Sequence, residues 1–331
     1  MFDAWTRPGF RPAGTPTRRV DQRPEIAVVL AAPRGFCAGV HRAIDAVRDA
    51  LAVHGPPIYV RRAIVHNLEV VRELEAEGAV FVQDLDAIPR GSVVIFSAHG
   101  VAPAIARDAS RRGLVAHDAV CPLVAKVHRE VERHQRGGRQ VVLIGHAGHP
   151  EIEGTLGHAR PATTFVVNSV ADVEQLPIGV TDPTAYAVQT TYSVEEAAAI
   201  VAALQARFSD LAGPASTDIC YATTNRQRAV KALAGQADAL IIAGESFSSN
   251  ASRLAEVAAA RCPAVQLVAS ADQIDWGQLS GVATVGVAAA ASTPESTVQA
   301  IVSAIGQRFR MRVSELEVVR ETTVFKRLAI A

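Results

Sequence analysis

Short apolar runs alternate with stretches of helical spacing along most of the chain. Residues 26–32, 58–60, 79–82, 93–97, 140–144, 239–243 and 283–287 are brief, mostly apolar and rich in β-branched side chains, the pattern of buried strands. Between them apolar positions recur every three or four residues. Ile44, Val47 and Leu51 form one such set, and Val70, Val71 and Leu74 a second. Val124, Val127 and Val131 form a third, and Ala229, Leu233 and Ala234 a fourth. Strand and helix in repeated alternation predict an α/β fold built on parallel sheets. In such sheets ligands bind beyond the carboxyl ends of the strands, so the residues that follow each apolar run carry the functional reading.

Three stretches place a cysteine at the start of a predicted helix. They are Pro33-Arg34-Gly35-Phe36-Cys37-Ala38-Gly39, Ala119-Val120-Cys121-Pro122-Leu123 and Asp218-Ile219-Cys220-Tyr221-Ala222-Thr223. Pro122 is a favoured first helical residue. The positive end of a helix dipole lowers a thiol's pKa and favours the thiolate, the form that binds metal. Taken singly, each cysteine reads more readily as core filler. Cys262, beside Pro263 at an apparent helix end, fits that description. The other three stand among Gly, Thr, Asn and His, where a packed core would want aliphatic side chains. They lie 84 and 99 residues apart, so they meet only if three strand-to-helix junctions converge.

Breaks near residue 121 and near Pro214 divide the chain into units at 25–121, 122–214 and 215–303, with a C-terminal tail at 304–331. A pseudo-threefold arrangement with the cysteines central is the economical geometry. Residues 1–24, with four prolines and several arginines, read as a disordered leader. A transit peptide fits less well, because the segment lacks serine and carries Asp3 and Asp21.

Composition narrows the class. Lys plus Arg and Asp plus Glu both number 33, and aromatics are 5%, which disfavours nucleic acid as a partner. No apolar run approaches the length of a membrane span. Four cysteines in 331 residues make no disulfide scaffold, which points to a reducing, cytoplasmic setting.

Three thiolates without a local Cys-x-x-Cys leave two metal readings open: zinc with three cysteines and a histidine, and an iron–sulfur cube with one iron free of protein ligands. The missing pairwise spacing disfavours structural zinc. His66, His99 and His149 lie at predicted strand or helix ends. With Ser248, Ser249, Asn250 and Ser292 they make a donor-rich set suited to a phosphate group. Neither Walker A nor Gly-x-Gly-x-x-Gly is present, so a nucleotide is not the obvious anion. Glu151, in His149-Pro150-Glu151, is the candidate general acid; a carboxylate near a helix start is otherwise an electrostatic convenience. In Gln189-Thr190-Thr191-Tyr192-Ser193, Ser193 fits a helix cap and leaves Thr190 free.

Several motifs together resemble a known family. They are Pro33 to Gly39, Val65-His66-Asn67, Phe96-Ser97-Ala98-His99-Gly100, Cys121-Pro122-Leu123-Val124 and Ile144-Gly145-His146-Ala147-Gly148-His149-Pro150-Glu151. Gln189-Thr190-Thr191, Ile219-Cys220-Tyr221-Ala222-Thr223-Thr224-Asn225-Arg226-Gln227 and Ser248-Ser249-Asn250 complete the set. The chain resembles the LytB-type iron–sulfur reductases, the 4-hydroxy-3-methylbut-2-enyl diphosphate reductases of the methylerythritol phosphate route to isoprenoids. The likeness runs from about Glu25 to about Ser292.

The resemblance implies three α/β units in pseudo-threefold array around a central iron–sulfur cluster, [4Fe–4S] in its working form, held by Cys37, Cys121 and Cys220. It implies that His66, His99, Ser248, Ser249, Asn250 and Ser292 grip the diphosphate of an allylic substrate, with His149 nearby. Thr190 would assist at the hydroxyl and Glu151 would deliver protons. Flavodoxin or ferredoxin would supply two electrons, and the products would be isopentenyl and dimethylallyl diphosphates. Three positions depart from the family pattern: Val120 for threonine, Ala290 for glycine and Ala32 for asparagine. The losses at Val120 and Ala290 leave room for a non-catalytic iron–sulfur sensor or a slow paralogue, and a zinc-stabilised binding protein is a third class. Thr190 and Glu151 favour the enzyme, since a sensor needs neither.

Overall fold

The structure, a computed structural model, describes residues 23–331. The expected leader therefore falls, through residue 22, outside the described residues. The apolar runs form three separate sheets, and every strand pairing is parallel. One four-stranded sheet runs in the order Ala79–Val82, Ile58–Arg61, Val93–Phe96, Val115–Asp118. Another runs Thr164–Val167, Gln140–Ile144, Thr184–Val188, Leu211–Ala212. The third has five strands, ordered Ala264–Val268, Ala239–Ala243, Thr284–Ala289, Glu25–Ala32, Arg310–Glu317.

Each sheet repeats one winding. The chain enters an inner strand, steps outward on one side, then returns to the other side of the strand it began with. The first and third strands of each such trio, Ile58–Arg61 with Val93–Phe96, Gln140–Ile144 with Thr184–Val188 and Ala239–Ala243 with Thr284–Ala289, thus straddle a topological switch point, where loops part and leave a crevice. A cysteine-led helix covers each sheet: Ala38–His54, Pro122–Arg136 and Tyr221–Ala234 in turn. The packing follows from spacing. Val127 and Val131, one turn apart on the second helix, are fully buried against Val141, Leu143 and Ala187. Ala229, Val230 and Leu233 do the same against Leu240 and Ile242. Each buried Val or Leu among them contributes about 1.5–3 kcal/mol by leaving water, which ties every helix start to its sheet.

Two expectations about chain organisation meet a different arrangement. The strand Glu25–Ala32, expected to lead the first unit, lies in the five-stranded sheet between Thr284–Ala289 and Arg310–Glu317. Residues 304–331, expected as a tail, contain the end of helix Glu295–Arg308 and the edge strand Arg310–Glu317. Both follow from one cause. Glu25–Ala32 is apolar on both faces and needs a neighbour on either side, and its neighbours lie more than 250 residues away in the chain. No helix among the described residues is long and apolar enough to cross a membrane.

Candidate active site

All three switch points open towards one cavity of about 100 Å³. Cys37, Cys121 and Cys220 line it, each as the N-cap of its helix. Each also donates its backbone N–H to a carbonyl just past the end of an inner strand: Cys37 to Ala291 at 3.2 Å, Cys121 to Ala98 at 3.0 Å and Cys220 to Thr190 at 3.1 Å. One backbone contact, repeated three times, brings the junctions together. Gly39 lies between two of the thiols. A Cβ there would stand 2.8 Å from Cys121 Sγ and 3.8 Å from Cys37 Sγ, so only glycine leaves room for both sulfurs.

The helix starts were expected to depress the thiol pKa values. Burial opposes the dipole and wins: it pushes Cys121 up to about 12 and Cys220 up to about 11, with the neighbouring cysteines adding to the rise. Without a bound cation these two are thiols. Cys262 is buried among aliphatic side chains, with Sγ near the carbonyls of Asp238 and Ala264 at 3.5 Å, and is core filler as expected.

The histidines converge from two sheets. His66 and His99 have ring centroids 4.1 Å apart, and His149 lies 5.3 Å from His66 and 5.8 Å from His99. Burial drives His66 down to about 4 and His149 down to about 3, and holds His99 well below its ordinary value. All three imidazoles are neutral at pH 7. His149 Nδ1 accepts from the Glu151 N–H at 3.1 Å, so its proton resides on Nε2. The Nε2 atoms of His66 and His149 are buried without a hydrogen-bond partner. Buried polar atoms in that condition signal an absent ligand or water.

The serines and Asn250 occupy the wall contributed by the five-stranded sheet. Ser248 caps helix Ser249–Ala259. Ser249 Oγ lies 3.1 Å from Thr191 Oγ1, and Ser292 Oγ donates to the His66 carbonyl at 3.2 Å. Asn250 also braces the residue that holds Cys37, its Oδ1 accepting from Ala291 N at 2.9 Å.

Opposite stands Glu151, 2% exposed, near the start of helix Pro150–Gly157. Thr190 donates to it twice, N–H to Oε1 at 2.7 Å and hydroxyl to Oε2 at 2.8 Å. Burial raises Glu151 to about 7 despite both of those bonds. It therefore carries a transferable proton at neutral pH. As expected, Ser193 is a helix cap, accepting from Glu196 N, and Thr190 is left to the site.

All twelve residues singled out from the sequence line this cavity. Thr223, which also lines it, was missed as a site residue. Its hydroxyl is 3.2 Å from Cys220 Sγ, and its place three residues past the helix cap is the signal that points to it. The two departures nearest the site face elsewhere. Ala290 is fully buried with its methyl towards Gly244, and Val120 packs over Gly100.

Comparison with known proteins gives this arrangement its context. The family model described as "LytB protein" matches residues 28–306. The chain belongs to the LytB family. A 4-hydroxy-3-methylbut-2-enyl diphosphate reductase of Paracoccus denitrificans is 52% identical over 308 residues, 93% of this chain and 98% of that protein. One from Methylocella silvestris is 48% identical over 305 residues, covering 92% and 96%. The solved E-1-hydroxy-2-methyl-but-2-enyl-4-diphosphate reductase from Plasmodium falciparum superposes with a TM-score of 0.87 at 36% identity, covering 92% of this chain and 96% of that one.

Membership of the LytB family implies an iron–sulfur cluster. The residues present fit one. Three free thiols face a common space that Gly39 keeps open. Among the described residues no three His, Cys, Asp or Glu side chains are grouped to hold a single metal ion.

Proposed function

We propose that this chain reductively removes the hydroxyl of 4-hydroxy-3-methylbut-2-enyl diphosphate, giving isopentenyl and dimethylallyl diphosphates. The observation that carries the reading is the double contact of Thr190 with a buried Glu151 held at about 7, on the wall of a cavity that also contains three thiols. A binding or sensing role has no need of a positioned acid.

Overall, one C–O bond breaks and one C–H bond forms. Two electrons and two protons are consumed, and the oxygen leaves as water. Cys37, Cys121 and Cys220 would hold the cluster, [4Fe–4S] in its working form, which supplies single electrons and a Lewis-acidic iron when bound. Everything else falls to this chain's own side chains. His66, His99, His149, Ser248, Ser249, Asn250 and Ser292 receive the diphosphate. The unpartnered Nε2–H of His149 and the Ser248 hydroxyl are short donors of the kind phosphate oxygens accept. When Glu151 is protonated, its O–H donates to the Thr190 hydroxyl, which turns to donate to the substrate oxygen, so Thr190 orients the substrate hydroxyl and relays the proton to it. Loss of hydroxide without that proton would be slow, because hydroxide is a poor leaving group. The apolar wall made by Val40, Val65 and Val124 excludes water from the five-carbon chain. Flavodoxin or ferredoxin supplies the electrons, and the setting is the cytoplasm.

The test is anaerobic incubation of purified protein with the hydroxylated diphosphate and a strong chemical reductant, with iron and sulfide measured on the same sample. Formation of both isoprenoid diphosphates is expected. Full iron and sulfide with no product would make the chain a sensor, and absence of iron would reject the cysteine assignment.

A further inference from the structure

Each cysteine-led helix carries a cation in its second turn, and each cation reaches the backbone just ahead of another cysteine. Arg42, five residues after Cys37, donates Nη1 to the Val120 carbonyl at 2.9 Å, next to Cys121. Lys126, five residues after Cys121, donates Nζ to the Ser216 and Thr217 carbonyls at 2.7 and 3.0 Å and to Asp218 Oδ1 at 3.1 Å, just before Cys220. Arg226, six residues after Cys220, donates Nε and Nη2 to the Gly35 carbonyl at 3.1 and 2.7 Å, two residues before Cys37. The sequence of contacts closes on itself.

We propose that Arg42, Lys126 and Arg226 form a ring of clamps that fixes the spacing of Cys37, Cys121 and Cys220 and so retains the metal group they hold. The inference rests on the assignment of those cysteines as its ligands. Its physical basis is the architecture. Each α/β unit begins at one cysteine and ends at the next, so a bond from a unit's first helix to its last loop sets one edge of the triangle. The backbone contacts to Ala98, Thr190 and Ala291 fix each cysteine to a strand end but leave the edges free. Charged donors make stronger bonds than neutral ones and hold a carbonyl against thermal motion.

Counterions are also supplied. Arg226, 1% exposed, is paired by Glu321 at 3.0 Å, and Lys126 by the fully buried Asp218. Glu321 comes from the segment after Arg310–Glu317, which thereby neutralises the innermost clamp; Glu321 also accepts from Asn225 Nδ2 at 3.1 Å. Arg42 is braced from the same segment by the Lys326 carbonyl at 3.1 Å. These are positioning residues. None of the three cations lines the cavity.

The test measures iron release to a ferrous chelator from anaerobically purified full-length protein. Arg42→Gln and Lys126→Met should each hasten release by about ten- to a hundredfold, the ordinary effect of losing a group that orients a metal ligand. Arg42→Lys and Lys126→Arg should recover most of the loss. Lys231→Met, which removes an exposed pair with Glu195 on the third helix, should release iron at the parent rate. Melting of iron-stripped protein separates positioning from folding: both Arg42 variants, Lys126→Arg and Lys231→Met should melt within about 4 °C of the parent. Lys126→Met, which leaves the buried Asp218 unpaired, should melt lower, so Arg42→Gln is the variant that decides. Parent-like release from Arg42→Gln overturns the proposal. So does release from that variant that rises only in step with a lowered melting temperature. A parent chain that binds no iron instead overturns the cysteine assignment, and the ring with it.

Discussion

Thr190 and Glu151 are joined at two points, backbone N–H to Oε1 at 2.7 Å and hydroxyl to Oε2 at 2.8 Å, and both residues are buried. The carboxyl is thereby held in one orientation while burial keeps it protonated to about pH 7. Glu151→Gln preserves size and most hydrogen bonding but has no proton to give. Turnover should fall by about 10²–10⁴, the usual contribution of a positioned acid, with iron content and product affinity intact. A steady-state assay with iron analysis reads this, and turnover within a few-fold of the parent would remove Glu151 from the mechanism.

The same residue makes a stability prediction. Its pKa is higher folded than unfolded, so between about 4.5 and 7 the folded chain binds more protons, and stability falls as pH rises through that window. Glu151→Gln removes this contribution. The variant's melting temperature should therefore gain on the parent's as pH rises from 5 towards 8. Parallel curves would mean that Glu151 is ionised throughout.

The cysteines separate by setting. Cys37→Ser, Cys121→Ser and Cys220→Ser should each lose the cluster and activity, because each thiol faces the cavity. Cys262→Ser should keep both, at some cost in stability, since its sulfur is packed in the core. Iron per chain decides. A full cluster in any of the first three, or its loss in the fourth, contradicts the assignment.

These residues were legible because their signal is local. Small and polar side chains directly after an apolar run, with a helix pattern following, mark the carboxyl end of a parallel strand whatever the fold does elsewhere. What was not legible is long-range or weakly apolar. Val115–Asp118, Thr164–Val167, Leu211–Ala212, Ala264–Val268 and Arg310–Glu317 are all edge strands, half-exposed and so poor in hydrophobic contrast. The place of Glu25–Ala32 depends on partners at the far end of the chain. The thiol pKa values went against expectation because sequence reveals a helix start but not the depth at which it is buried. Arg42, Lys126 and Arg226 had a regular offset from the three cysteines, yet offset alone does not say what a side chain touches.

The anion pocket predicts proton uptake. His66 and His149 are neutral because burial lowers them to about 4 and 3. A diphosphate beside them stabilises the imidazolium and raises those values, so binding should take up protons and tighten as pH falls from 8 towards 6. Calorimetry of a product diphosphate in two buffers of different ionisation enthalpy reads the uptake. His66→Ala or Ser248→Ala should weaken affinity by about ten- to a hundredfold without altering iron content, each removing a charge-assisted hydrogen bond of about 1.5–3 kcal/mol. Unchanged affinity in both variants would put the phosphates elsewhere.

The last prediction concerns a histidine outside the cavity. His128, two turns along the helix that starts at Cys121, is stacked on His158 with centroids 4.1 Å apart, and its Nε2 is buried without a partner. Burial, then the charge of His158, drives its pKa down to about 3. The unfolded chain protonates it near 6.5, so from there down to about 3 the unfolded state binds the extra proton and stability is lost as pH falls. One such group adds about 1.4 kcal/mol to the slope for each pH unit. His128→Leu keeps the site apolar and has no proton to bind. Its melting temperature should fall less steeply than the parent's between about pH 6.5 and 4.5, while the two converge in slope above about pH 7. Equal slopes throughout would mean that the imidazole finds water or a partner on protonation, and that the acid sensitivity of the chain lies with the cavity histidines instead.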